Sequence, residues 1–160
     1  MPDGIVTIGD WAFAYNERLS SIILPNTVKT IGEKAFIFCN RLSKINLPES
    51  VETIGINPFY GCNKVDVKIN SKQEHYLVKS GVLISKKDSR MISYLLGSTK
   101  KSYSIPKNVE VIGEYAFSCN GDLKSIEMPN SVKKICKGAF LGCYDLQTIR
   151  LSANIEIIEE

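Results

Sequence analysis

A repeat of 23 residues runs along most of the chain and constrains its fold more than any other feature. The steps between successive repeats are 23 residues except for one step of 58, so one unit contains a net insertion of 35 residues. A strict period of this length is typical of proteins in which each repeat forms one coil and buries its apolar face by stacking on its neighbours. The repeats begin at Ile5, Val28, Val51, Val109, Val132 and Ile155.

The aligned repeats hold the same apolar residue types in columns, and these columns predict the buried positions. Two columns lie two residues apart, which is the alternation of a strand with one buried face. The main columns are Ile8, Ile31, Ile54, Ile112, Ile135 and Ile158; Phe13, Phe36, Phe59, Phe117 and Phe140; Leu19, Leu42, Val65, Leu123 and Leu146; Ile22, Ile45, Ile126 and Ile149; and Leu24, Leu47, Met128 and Leu151.

Each coil is therefore predicted to contain three parts. The L-x-x-I-x-L stretch forms a short strand, here called the ladder strand, which ends at a proline such as Pro25 because proline cannot donate to the ladder. The V-x-x-I-G stretch is an extended return, and the x-x-A-F-x-x-C stretch forms a single helical turn. Glycine at the end of the return indicates a positive φ or a close backbone approach, and Cys136 in that column weakens the first explanation.

The repeat unit L-x-x-I-x-L-P-x-S-V-x-x-I-G-x-x-A-F-x-x-C resembles the BspA-type leucine-rich repeat, and the resemblance covers essentially the whole chain. It implies an α/β fold, a right-handed solenoid of 23-residue coils with a parallel sheet on its concave side and short helical turns. It also implies surface or secreted proteins of bacteria and protists that act in adhesion and protein binding. A parallel β-helix with hexapeptide turns fits poorly, because 23 is not a multiple of six.

Residues 72–106 interrupt the period, and the sequence predicts an inserted β-hairpin there. The stretches GVLIS and RMISYLL flank a polar link, Lys86 to Ser89, and Tyr103 and Ile105 restore the next ladder strand. The segment has seven basic and two acidic residues, a net charge of +5, whereas the rest of the chain has thirteen basic and fifteen acidic residues. All the excess positive charge of the chain therefore lies in the insertion.

Two interpretations of this charge remain open. A protruding basic hairpin with Lys86, Lys87, Lys100 and Lys101 would attract an acidic protein or a sulfated glycan. Alternatively, the lysines only solvate the hairpin and discourage pairing at its edge. Such interruptions are also ordinary for the resembled family.

Several function classes receive no support. No apolar run exceeds five residues, which excludes a membrane-spanning helix, and a net charge of +3 is too small to indicate nucleic-acid binding. No signal peptide is visible. The chain starts at a strand end, Met1 to Gly4, and stops within a coil at Glu160, so a fragment of a longer array is expected, with residues 1–160 forming a single solenoid.

No catalytic, cofactor-binding or metal site is predicted. Cys39, Cys62 and Cys143 share a column with asparagines and are expected to bond backbone carbonyls as free thiols, and Cys119 is expected in the interior. No C-x-x-C pair supports a zinc site. The single histidine, His75, lacks a convergent nucleophile, so a hydrolase is disfavoured against a solvated loop residue.

The predicted function is a non-catalytic protein-binding module of a surface adhesin-like protein that contacts host or extracellular-matrix proteins; the alternative is a structural spacer or intracellular scaffold. Six rungs of seven-residue strands offer on the order of 500 Å² of face, less than the roughly 800 Å² per partner of a standard interface. Trp11 is either a contact residue or a ring that lies over the next coil. The outward positions of the ladder strands are Ser21, Ile23, Lys44, Asn46, Asp66, Lys68, Ser102, Ser104, Ser125, Glu127, Thr148 and Arg150.

Overall fold

Each repeat forms one coil of a β-solenoid that contains two short strands. The computed structural model describes residues 2–160 and, of Ser98, only the backbone, so Met1 of the predicted chain start lies outside the described residues. The return strands are β1 (Thr7–Ile8), β3 (Thr30–Ile31), β5 (Thr53–Ile54), β11 (Val111–Ile112), β13 (Lys134–Ile135) and β15 (Ile157–Ile158). The ladder strands are β2 (Ser21–Ile23), β4 (Lys44–Leu47), β6 (Asp66–Ile69), β10 (Ser102–Ser104), β12 (Ser125–Glu127) and β14 (Thr148–Arg150). The insertion contributes β7 (Tyr76–Lys79), β8 (Val82–Ser85), β9 (Arg90–Tyr94) and a 3-10 turn (Gly97–Thr99).

Neighbouring coils pair in parallel at the register that the repeat predicts. Ile22 lies opposite Ile45, and Tyr103 lies opposite Ile126, so the ladder strand that follows the insertion is confirmed. Ile45 pairs with Val67, one residue short of the period, so the third coil has one residue fewer than its neighbours. Because the coils stack in register, each side chain packs on the same residue type in the neighbouring coil. The fully buried Phe36 ring stacks on the rings of Phe13 and Phe59, with ring centres 5.3 and 5.7 Å apart.

The A-F stretch is not a helical turn, and the α component of the predicted α/β class is therefore wrong. In five coils two residues four positions apart adopt a positive φ, as Trp11 (59°) and Tyr15 (59°) do in the first coil, and such residues end a right-handed helix. Successive backbone N–H groups instead donate alternately to a carbonyl of the same coil and to a carbonyl of the next coil. Ala12 and Ala14 donate to carbonyls three residues earlier, whereas Phe13 donates to Ala35 in the next coil at 2.8 Å.

The glycine column at the end of the return is explained by close approach rather than by positive φ. A Cβ on Gly32 would lie 2.4 Å from the backbone nitrogen of Asp10 in the preceding coil, too close for any side chain. Gly32 is not among the residues of positive φ. The glycines that do adopt a positive φ in the coils lie in the turn columns; Gly138 is one, and the ring of Tyr115 covers it.

The insertion forms a largely buried three-stranded meander, in which β8 and β9 make the predicted hairpin but do not protrude. Strands β7, β8 and β9 pair antiparallel in sequence, and Lys86 to Ser89 connect β8 to β9. Strand β9 then pairs in parallel with β11, so it serves as the return strand of its coil. Tyr94 lies one period before Phe117 and occupies the phenylalanine column, with its ring 5.1 Å from that of Phe117.

The meander separates the interior into two cores. Leu83 belongs to the core of the N-terminal coils, whereas Val82 and Ile84 belong to the core of the C-terminal coils, and all three are essentially inaccessible to solvent. Because successive side chains of a strand point to opposite faces, β8 acts as a septum with one face on each core. The predicted single ladder sheet is accordingly split into two sheets of three strands, β2-β4-β6 and β10-β12-β14.

Candidate functional site

The two ladder sheets expose the side chains that the sequence placed outward. All twelve outward residues are exposed except Ser125, which is half-buried. Inward neighbours such as Ile45 and Ile126 are buried, but the predicted inward residues Ile149 and Leu151 are exposed, because β14 is the edge strand of its sheet. The outward set is mixed in sign, and Ile23, exposed to 74%, is its only large apolar member. We call the outward residues of β2-β4-β6 the first face and those of β10-β12-β14 the second face.

Parallel pairing arranges the outward residues in rows across each face. On the second face, Arg150 lies 3.3 Å from the carboxylate of Glu127, which also accepts a hydrogen bond from Ser104. In a second row, Ser125 donates to the hydroxyl of Ser102 at 2.8 Å. On the first face, Lys68 pairs with Asp66 of the same strand at 3.1 Å, and Lys44 and Asn46 lie on the neighbouring strand. These pairs are solvent-exposed, so they orient side chains more than they stabilise the fold.

The lysines of the insertion divide into two groups with different neighbours. Lys86 and Lys87 lie in the turn between β8 and β9, where the Lys86 ammonium donates to the backbone carbonyl of Gln73 at 2.6 Å. Lys100 and Lys101 lead into β10, and Lys101 faces Asp122 at 3.7 Å. A role of either pair in binding an acidic protein or a sulfated glycan stays a prediction.

Trp11 belongs to an aromatic cluster around Lys34 that the sequence did not reveal. The Lys34 ammonium lies 5.3 Å from the centre of the Trp11 ring, 5.9 Å from that of Tyr60 and 4.7 Å from that of Tyr115, and 2.9 Å from the Glu33 carboxylate. Such cation–π contacts stabilise by about 0.5–2 kcal/mol each. Trp11 keeps 45% of its surface exposed. Its ring lies over the next coil, and its role as a contact residue stays a prediction.

The cysteines bond backbone groups as the columns predict. The thiols of Cys39, Cys62 and Cys143 donate to the carbonyls of Phe13, Phe36 and Phe117 at 3.0, 2.9 and 3.2 Å. Burial raises the pKa of the Cys62 thiol to about 12 and that of Cys143 to about 11, so both thiols remain protonated near neutral pH. The prediction for Cys119 is wrong: it is exposed, because its φ of 62° turns its column outward.

The candidate metal ligands of the described residues do not form a metal site. No group of three or more histidine, cysteine, aspartate or glutamate side chains within residues 2–160 is placed to hold a metal ion. His75 is exposed, and its nearest described aromatic neighbour is Tyr76. No helix in the described part of the chain is long and apolar enough to span a bilayer.

Side chains replace the backbone pairing that the septum interrupts. Gln73 is buried, and its amide donates to the carbonyls of Pro48 and Val51 while its carbonyl accepts from the backbone of His75 at 2.6 Å. The Tyr76 hydroxyl accepts from the Ile54 N–H at 2.8 Å and lies 3.1 Å from the Glu52 carbonyl. Gln73 follows Thr27 and Ser50 at the repeat spacing, and both of these also bond a carbonyl of the preceding coil. The shared repeat position of Thr27, Ser50 and Gln73 could therefore have predicted that the Gln73 side chain bonds a backbone carbonyl of the preceding coil.

The comparisons agree with this architecture. The sequence matches the family described as "BspA type Leucine rich repeat region" in six copies, over residues 1–79 and 95–160. No curated protein sequence matches significantly.

Solved structures of leucine-rich repeat proteins are similar to this chain in fold. A leucine-rich cell surface protein of Faecalibacterium prausnitzii is 34% identical over 97% of this chain, with a TM-score of 0.83, and the pneumococcal vaccine antigen PcpA is 29% identical over 95%, with a TM-score of 0.73. A leucine-rich repeat protein of Eubacterium ventriosum, 22% identical over 99% of this chain with a TM-score of 0.67, shares the fold. The chain spans 41%, 44% and 54% of these three proteins.

Proposed function

Because the chain belongs to the BspA-type leucine-rich repeat family, we propose that it is a non-catalytic protein-binding module that contacts its partner through the outward residues of the ladder strands. The observation that carries this proposal is the second face. Glu127 and Arg150 are exposed on it and pair across neighbouring strands, while Ile126, the inward residue that precedes Glu127 on β12, is buried at 2% exposure. A rigid backbone with fixed polar side chains loses little conformational entropy when it binds.

The cellular setting that we propose is the bacterial surface. One similar structure is described as a cell surface protein and another as a vaccine antigen. A host or extracellular-matrix protein is the partner class that this setting favours. The mixed charges of the faces suit a partner surface that is itself mixed in sign.

The split of the ladder sheet affects the size of the contact. Each face contains three strands, so a partner that buries a standard area must span both faces or extend beyond them. A partner spanning both faces would lie across the septum.

A binding screen tests the proposal. The chain, immobilised by a tag, is exposed to serum and to solubilised matrix proteins, and retained proteins are compared with those held by two variants. Glu127→Lys combined with Arg150→Glu reverses the charges of the second face. The matched control, Lys29→Glu with Glu52→Lys, reverses an equally exposed ion pair outside the ladder strands.

We expect a specifically retained protein whose binding weakens at least about fivefold with the second-face variant and is unchanged by the control. Specific retention that neither variant alters would place the contact elsewhere. If no protein is retained, the function as a binding module is refuted, and a spacer or scaffold role takes its place.

A further inference from the structure

Three open strand edges meet where the septum interrupts the solenoid. Strand β6 ends the first ladder sheet and β10 begins the second, yet the two do not pair. Strand β7 is the last strand of the six-stranded sheet formed by the insertion and the return strands beyond it. Unpaired edges attract further strands, and proteins usually cover or charge them.

Hydrogen bonds at the start of β6 show which backbone groups face the opening. The Val65 N–H donates toward the next coil, to Leu95 at 2.9 Å, and the Asp66 N–H donates toward the preceding coil, to Ser43 at 2.8 Å. Because successive N–H groups of a strand point to opposite edges, those of Val67 and Ile69 point away from β4. Within residues 2–160, neither N–H has a backbone acceptor on that side.

A groove of about 470 Å³ runs along this edge between β6 and β7. The backbone of β6 forms one wall, and Tyr76, Leu77 and Val78 of β7 form the other. Val78 is 37% exposed, so the opposite wall offers an accessible apolar side chain. Main-chain bonds to β6 together with apolar contacts to β7 are the requirements for adding an extended strand.

The charge around the groove selects the kind of peptide. Residues 64–87 contain six lysines against two carboxylates. Lys68 and Lys86 line the groove together with Asp66, which pairs with Lys68, so the groove lining keeps one excess positive charge. An acidic segment complements this field, whereas a basic one is repelled.

We propose that the edge of β6 binds an extended acidic peptide segment of a protein partner as an added strand. This proposal rests on the proposed protein-binding function and names a second contact, at the junction of the two faces. It also accounts for the concentration of positive charge beside an edge that the septum leaves unpaired. If the lysines serve only to repel other strands, no peptide will bind.

The test measures fluorescence polarisation of a labelled peptide with the full 160-residue chain. The probe is an alternating valine–glutamate peptide of about eight residues, the length of a typical strand. Two control probes differ in one property each: one carries lysine in place of glutamate, and the other is N-methylated at every backbone nitrogen. We expect the acidic probe to bind and both controls to bind at least about tenfold more weakly, because they lose charge complementarity or main-chain donors.

Three variants locate the contact. Val67→Pro removes one N–H at the open edge, where proline is tolerated in sheets, and is expected to weaken binding about fivefold to tenfold. Lys68→Glu reverses a groove charge and is expected to weaken binding similarly. Lys107→Glu reverses an exposed lysine outside both the groove and the ladder strands and is expected to leave the acidic probe unaffected.

The outcomes separate this proposal from the proposed function. Absence of acidic-probe binding, or equal binding of the N-methylated probe, overturns the edge-strand contact and leaves binding by the ladder faces intact. Circular dichroism checks that Val67→Pro folds, and the N-methylated probe keeps the test decisive if it does not. Equal effects of Lys107→Glu and Lys68→Glu would also overturn the proposal, because binding would then follow the general charge of the chain.

Discussion

Replacing the two central septum residues tests whether the insertion is a structural wall. Leu83 is fully buried against the N-terminal core, and Ile84, 1% exposed, is buried against the C-terminal core. Removing a buried leucine or isoleucine side chain to alanine leaves a cavity that costs about 2–5 kcal/mol. We expect Leu83→Ala and Ile84→Ala each to lower the free energy of unfolding by this amount.

Equilibrium unfolding in urea, followed by circular dichroism, measures both changes. The matched control is Val78→Ala on β7, whose side chain is partly exposed and whose loss is expected to cost less than about 1 kcal/mol. A protruding hairpin predicts the opposite pattern, with all three substitutions nearly neutral. If Leu83→Ala changes stability by less than about 0.5 kcal/mol, the septum does not pack against the N-terminal core and the reasoning fails.

Four further predictions concern the coils, the thiols and the lysines. Phe36→Ala should cost about 3–5 kcal/mol in thermal or urea unfolding, because it opens a cavity between two stacked rings; a negligible change would contradict the inward phenylalanine column. Alkylation by iodoacetamide at pH 8 should modify the exposed Cys119 first and leave Cys62 protected, as mass spectrometry of peptides would show; faster reaction of Cys62 would contradict its burial. The pKa of Cys62 is about 12 in the folded state and 9.0 ordinarily, so the folded state holds the thiol proton more tightly than the unfolded state does. The resulting contribution to the free energy of unfolding is complete below pH 9 and is lost as the pH rises toward 12. Cys62→Ala should therefore reduce the decline in stability that urea titrations show over this pH range. Neutralising Lys86, Lys87, Lys100 and Lys101 to glutamine should shift the melting temperature by only a few degrees, since surface ion pairs contribute about 0–1 kcal/mol each; unfolding would show that they are structural.

Much of the solenoid could be predicted from the columns of the repeat. Ile22, Ile45 and Ile126 lie inward and pair at the repeat register, because in a stack of identical coils the same position always meets the same environment. The thiols of Cys39, Cys62 and Cys143 were likewise placed on backbone carbonyls by their shared column with asparagine.

The turn columns show the limit of this reasoning. A stretch with alanine and phenylalanine favours a helical turn locally, but inter-coil hydrogen bonds such as that from Phe13 to Ala35 require positive φ at Trp11 and Tyr15. Tertiary pairing therefore overrides local propensity, which also turns Cys119 outward. The lysine–aromatic cluster around Lys34 was hidden in part for a related reason, since Tyr115 comes from a repeat beyond the insertion, whereas Trp11 and Tyr60 lie in the repeats next to that of Lys34.

The sequence alone determined the period, the inward columns, the family and the outward residues of the ladder strands, because each of these repeats at fixed spacing. Only the tertiary structure decided where the insertion lies. Its apolar strands have no counterpart in the repeat, and the sequence VLIS of Val82–Ser85 predicts a hairpin strand without showing that a core lies on each side of it. Burying both faces of that strand removes apolar surface from water on two sides, so the segment packs inside the solenoid, splits the ladder sheet and leaves the edge of β6 open.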